Sequence, residues 1–219
     1  MKQHELTEQG QVTDRYTKAV EQLGKAGPEN LHSRLGAVYA LERLGRDSPR
    51  DQTTVLEVLS AFIRTTAQGV PDDSPARREK CGVTTVDVRA ALTVLGRRDP
   101  RQDRGFTIDL RRLCLAGVNL SRVLLAEADL FRVRADEARF VDASMSNAVL
   151  RLALLERTDF TDADLFAADL TEAYLGKATL SSASFYDTDL RGARLHDTKH
   201  DDTIVHGAVT NERTEGVWW

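Results

Sequence analysis

Two hydrophobic rhythms divide the chain. Up to about Arg98 the apolar residues recur at three and four positions, and from Leu110 onward they recur at five. The first rhythm is the stripe of an amphipathic helix. The second suits neither regular element. Five steps of about 100° carry a helical side chain roughly 140° from its start, and five alternations turn a strand residue to the opposite face. The back half must therefore bend as it extends.

The helical part begins with DRYTKAVEQLG, where Tyr16, Ala19, Val20 and Leu23 form a stripe, Asp14 is placed to cap the start and Gly24 to stop the end. Residues 1–13 read as a flexible N-terminus. A second helix follows Pro28, with Leu31, Leu35, Val38, Tyr39, Leu41 and Leu44 as its apolar side. A third follows Ser48-Pro49 and buries Val55, Leu56, Val58, Leu59, Phe62 and Ile63. The turn-rich, charged stretch near 68–82 predicts a mobile loop. TTVDVRAALTVLG is a fourth helix, with Thr84 or Thr85 as cap. Helices joined by short turns predict a helical hairpin or bundle domain over 14–104. Gly96–Arg112 carries six arginines against three aspartates and reads as a solvated connector rather than a phosphate site.

The five-residue register runs without a slip from Leu110 to Leu195, its centres being Leu, Phe, Met or Ala, with Ala, Val or Thr two places earlier from Val118 onward. In an extended piece, residues two apart point the same way. The small residue and the centre therefore both face inward, and the two remaining residues turn the chain by roughly a right angle. Four units close a square, and successive squares stack at the β-spacing of ~4.8 Å. Each buried Leu or Phe contributes about 1.5–3 kcal/mol, which must offset the ordering of five residues. The margin per unit is thin, so each coil depends on its neighbours.

This register resembles the pentapeptide-repeat family, whose motif is written A(D/N)LXX. ADL stands at Ala128–Leu130, Ala163–Leu165 and Ala168–Leu170. The resemblance covers Ile108–Thr203 and implies a right-handed quadrilateral β-helix over 105–203, with about five coils and a length on the order of 24 Å. The N-terminal part is similar to the helical region that precedes such repeats in some bacterial members, and is placed to cap the first coil. Residues 204–219 read as a C-terminal cap, with Trp218 and Trp219 packing on the last layer or on a second copy in a homodimer.

Composition changes this picture little. The chain has 219 residues, 41% hydrophobic and 6% aromatic, and a net charge of −4 gives no general reason to expect nucleic-acid binding. Met1–Gly10 lacks the apolar run of a signal peptide, and nothing later approaches the ~20 residues that span a bilayer. Cys81 and Cys114 lack metal-type spacing, so free thiols and a cytoplasmic location are expected. No catalytic motif is present, and the expectation is a protein that is not an enzyme and uses no cofactor. His196, His200 and His206, interleaved with Asp197, Asp201 and Asp202, offer metal-type donors but read as a polar cap.

Recognition must then live on the outward positions. Asp129, Asp169 and Asp189 fall on one face with Asp109, while Asp159 and Asp164 add to an acidic surface. Phe166 and Tyr186 lie twenty residues apart and should stack, with Tyr174 on the next face. These residues are the candidate interaction surface of a protein-binding scaffold. The family resemblance implies an alternative, an acidic DNA mimic that binds a type II topoisomerase such as gyrase and protects it from poisons. Against that, Asp before the central Leu belongs to the motif itself, where it can bond turn amides.

Overall fold

The computed structural model describes residues 2–67, 81–82 and 84–219, and side chains from residue 10 onward. Most of the loop expected near 68–82 lies outside these residues. The chain forms two compact units, Met1–Ile63 with Thr85–Phe106 and Arg64–Thr84 with Thr107–Trp219.

The first unit is helical: α1 (Lys2–Leu23), α2 (Leu31–Asp47), α3 (Gln52–Thr66, divided after Ile63) and α4 (Val86–Gly96). Helix α1 starts at Lys2, which corrects the expected start at Asp14. The segment ahead of Asp14 is rich in Glu and Gln, good helix formers, and Gly10 alone does not stop it. Asp14 instead sits within the helix and pairs with Lys18 one turn on, at 2.8 Å. Helix α2 packs against α1 and α4. Ala37, Val38, Leu41 and Leu44 form its buried side, whereas Tyr39, expected on that side, is half exposed.

Three ion pairs tie this unit together. The Arg34 guanidinium on α2 meets Asp87 on α4, and also donates to the carbonyls of Lys25 and Gly27 at 2.9 and 2.7 Å. Burial pushes the fully buried Asp87 carboxyl up, but hydrogen bonds from Thr85 and Arg34 outweigh it and hold it below its ordinary value. Arg97 grips Glu42 with two bonds, at 2.6 and 2.7 Å. Arg98 meets Asp103 at 2.8 Å, and Gln52 reaches the same carboxylate at 3.1 Å. The arginine-rich junction is thus partly internal.

The second unit is the coil. Parallel bridges join each outward residue to the one twenty places on, from Asp109↔Asp129 through Asp189↔Val209. A twenty-residue coil built of five-residue units has four sides. We number them by their centres: side 1 holds Leu110, Leu130, Leu150, Leu170 and Leu190, and sides 2, 3 and 4 follow at Leu115, Leu120 and Leu125. The centres through Leu195 and the small residues two places before them are buried. Phe140 and Phe160, centres of side 3 in successive coils, stack at 5.3 Å. Thr158 and Thr188 replace Ala on the inside, and their buried hydroxyls donate to the carbonyls of Ala135 and Leu165 in the coil below, at 2.9 and 2.7 Å.

Between sides the chain turns through two residues, the second in the left-handed region, as at Glu127 (φ 60°) and Leu152 (φ 59°). The following amide closes the turn, as Ala128 N–H donates to Leu125 O at 3.1 Å. A positive φ at the second position alone is the signature of a type II turn.

The ladder continues past residue 203, where the cap was expected to begin. Ser184 bridges Ile204, Asp189 bridges Val209, and Arg194 bridges Glu215, one residue out of step. The centres weaken to His200, Val205 and Thr210, but the turns persist. Cys81 and Cys114 form a disulfide with a Cα–Cα separation of 5.5 Å, which overturns the expectation of free thiols. Cys114 occupies an outward place on side 2, and the fold brings Cys81 to it across a gap of 33 residues. Within the same unit Cys114 N–H donates to Ala67 O at 3.1 Å.

Two substitutions test the register. Phe160→Asp should abolish cooperative folding of the coil, since merely trimming a buried Phe to Ala costs about 3–5 kcal/mol and the new charge has no partner. Ser182→Asp, at an exposed turn place, should change stability by no more than about 0.5 kcal/mol. Equal urea midpoints for the two variants, followed by circular dichroism, would refute the inward assignment.

Candidate interaction surface

The acidic residues sit where the sequence expected them, on the outer wall, and each is tied to a turn. Asp129 Oδ1 accepts from Phe131 N–H at 2.9 Å, Asp159 from Thr161 at 3.1 Å, and Asp164 from Phe166 at 3.0 Å. Asp169 accepts from Thr171 at 2.9 Å and Asp189 from Arg191 at 3.1 Å. The first turn amide has no acceptor in the ladder, and the preceding carboxylate supplies one. These are Asx-turns repeated up the coil.

The fold also spreads the five acids. Asp129, Asp169 and Asp189 lie on side 1, Asp159 on side 3 and Asp164 on side 4. Cations offset several of them. Arg191 clasps Asp189, Arg111 lies 3.4 Å from Asp129, and Arg139 lies 3.8 Å from Asp159. The hydrogen bond from Arg191 holds the Asp189 carboxyl below its ordinary value. At the foot of side 1, Asp109 bonds Arg111 and Arg64, and the Arg111 bond chiefly brings its carboxyl down to about 2.

Phe166 and Tyr186 stack on side 4 at 5.8 Å, and His206 extends the column 5.0 Å above Tyr186. His206 was missed as a surface residue because it falls beyond residue 203. Its signal was the same spacing of twenty from Tyr186. Tyr174 is not beside this column. It lies on side 2, two sides away, because it precedes the centre Leu175 instead of following one, and its ring carries the Arg194 guanidinium at 5.6 Å.

Side 2 also holds a cleft of about 590 Å³ lined by Leu154, Tyr174 and a charge network. There Arg134 pairs with Asp136 at 2.8 Å, and Arg157 pairs with Glu137 and Glu156 at 2.7 and 2.8 Å. At the C-terminal end Trp218 stacks on His200 at 4.2 Å, and Trp219 meets Trp218 edge-on at 4.7 Å. His196 bonds Glu215 at 2.9 Å, so the three histidines go to three different partners. Among the described residues no three His, Cys, Asp or Glu gather as a metal site, and no helix is long and apolar enough to cross a membrane.

Two outcomes follow from the bonded acids. Asp169→Ala strips the Thr171 amide of its acceptor and should cost about 1 kcal/mol in urea unfolding, while Asp169→Asn, which keeps an oxygen there, should cost less. Asp109 ionises at about 2 when folded against 3.8 ordinarily. Between those values the unfolded chain takes up a proton that the folded chain refuses, so stability falls as pH drops through the window. Asp109→Asn should remove that part of the acid limb in thermal melts at pH 5, 3 and 2.

Comparison with known proteins agrees with the repeat. The family described as pentapeptide repeats matches residues 114–151 and 158–197 in eight copies. No curated protein matches the chain. Among solved structures, the chain is similar to HetL, a pentapeptide repeat protein involved in heterocyst differentiation regulation in the cyanobacterium Nostoc, at 31% identity over 43% of this chain and 40% of HetL, with a TM-score of 0.42. It is similar to Rfr23 from the cyanobacterium Cyanothece at 30% identity over 39% of this chain and 62% of Rfr23, with a TM-score of 0.24. It is also similar to QnrB1, a plasmid-mediated fluoroquinolone resistance protein, at 20% identity over 46% of this chain and 54% of QnrB1, with a TM-score of 0.24. The chain therefore spans less than two thirds of each of these proteins. The eight matched repeats are the same units that build the twenty-residue ladder, and over residues 114–151 and 158–197 the chain is made of pentapeptide repeats, which imply a right-handed quadrilateral β-helix.

Proposed function

We propose that the chain is a non-enzymatic interaction module, a scaffold that presents the outer walls of about five coils to a protein partner. One observation carries this reading: the inward residues are sealed by packing from Leu110 to Leu195, so only outward side chains remain for chemistry. Those side chains make a rigid, regularly spaced display, with Asp129, Asp159, Asp164, Asp169, Asp189, Phe166, Tyr174 and Tyr186 as its candidate contacts. Rigidity favours binding because little conformational entropy is lost on association.

A second reading is favoured by the charge of the upper coils. Between Glu156 and Asp189 eight acids stand against two bases, Arg157 and Lys177. An acidic rod of this kind is the surface of a DNA mimic directed at a type II topoisomerase. One subunit would replace only about a turn of duplex and a little more. A second copy joined at the C-terminal end, where Val209, Val217 and Trp219 are exposed, would lengthen it.

Cross-linking and capture from native cells should recover a defined protein whose yield drops when outward residues are replaced. Turnover of a substrate by the purified chain, with no partner recovered, would overturn the module reading. Added protein that alters neither gyrase supercoiling nor its inhibition by a poison would end the second reading. Sedimentation showing a monomer at micromolar concentration would remove the end-to-end dimer.

A further inference from the structure

Side 4 differs from the other three in charge. Its positions 124–127, 144–147, 164–167, 184–187 and 204–207 carry Glu127, Asp164 and Asp187 and no lysine or arginine. Every other side bears cations, such as Arg191 on side 1, Arg157 on side 2 and Arg139 on side 3, and these pair with its acids. Side 4 is also where the aromatic column stands, with Phe166 42% and Tyr186 38% exposed, and with Ile204 beside it at 51%. Deepening the module reading, on which this rests, we infer that side 4 is a docking strip for an extended, lysine- or arginine-rich segment of a partner protein.

The shape of the strip selects that occupant. Phe166 and Tyr186 stack, so their faces cover each other and their apolar edges meet solvent. The column is one ring wide, with Asp164 and Ser184 at the outward places of the same two coils. It is too narrow for the apolar stripe of an amphipathic helix, which spans 100° or more. It suits the methylene stems of Lys and Arg, which cover apolar surface while their charged heads reach outward. The heads find carboxylates on both flanks of the column. Asp164 precedes Phe166 and is held by its bonds to Phe166 N–H and to Ser146 Oγ at 2.6 Å. Asp187 follows Tyr186 and lies against Gly207, where φ is +73° and a side-chain carbon would collide with the carboxylate. In an extended segment alternate residues face the same way, about 6.6–6.8 Å apart, against 5.8 Å between the two stacked rings, so two successive basic stems can rest along the strip. Acidic nucleic acid is repelled by the same charge.

The test uses a fluorescein-labelled nonapeptide of alternating Lys and Ser, with an alternating Glu and Ser peptide as control, and reads anisotropy at about 50 mM salt. The basic peptide should bind saturably and the acidic one should not. Phe166→Ala with Tyr186→Ala should weaken binding about tenfold or more. Ser184→Lys, which leaves the rings in place, should also weaken it, and Glu172→Gln at an exposed turn of side 1, outside the candidate contacts, should leave it unchanged. Thermal melts of each variant report the fold. Equal weakening by Glu172→Gln, or unchanged binding when the rings are removed, would show general charge attraction and overturn the strip. Absence of saturable binding would also overturn it. If a cross-linked native partner holds the ring-deleted variant as tightly as the parent, the module reading stands and the strip falls.

Discussion

Every buried backbone N–H of the coil needs an acceptor, and position alone supplies one to four of the five amides in the unit around Leu130. Taking the unit around Leu130, Ala128 N–H donates back to Leu125 O, Asp129 N–H goes to Ile108 O in the coil before, and Leu130 N–H goes to Val149 O in the coil after. Arg132 N–H reaches Arg151 O in the coil after, and Phe131 N–H, the one left, is taken by the Asp129 side chain. A buried or turn amide without a partner costs free energy comparable to a lost hydrogen bond. This requirement explains both the vertical stacking and the carboxylate in the motif.

That same bond limits what the acids mean. A carboxylate already engaged with a turn amide, and in several cases with an arginine, is less available as free surface charge than its count suggests. At Leu154, where the motif lacks Asp, the turn amide of Glu156 turns instead to Asp136 one coil below, at 3.1 Å. Acidity on sides 1 to 3 is therefore largely part of how the wall is built. Side 4 differs in having no lysine or arginine among its carboxylates and an aromatic column beside them, although Asp164 there serves its turn as the other acids do.

The helical unit follows a different logic. Its apolar stripes are the ordinary means by which amphipathic helices pack, but Arg34, Asp87, Glu42, Arg97, Arg98 and Asp103 enter the packing as pairs. Burying an ion is costly unless its partner and remaining hydrogen bonds are in place, and removing one member of such a pair is more damaging than replacing both. These pairs are a requirement for one particular arrangement of α2, α4 and the following turn rather than a general source of stability.

The coil was legible because its period is a local property. Leu165, Leu170, Leu175 and Leu180 announce their inward direction through neighbours two and five residues away, and the twenty-residue spacing of Phe166 and Tyr186 follows from it. The helices were legible for the same reason, although the start of α1 was not, since a polar helical segment has no apolar stripe to mark it. What lay beyond the sequence were contacts between distant positions. Cys81 and Cys114 pair across 33 residues, Arg34 finds Asp87 across 53, and His206 joins a column that the weakening centres had hidden. Periodicity determines which way a side chain points, because direction is set by the backbone within one repeat. Which two side chains meet is decided only by the folded chain, because that depends on the path of everything between them.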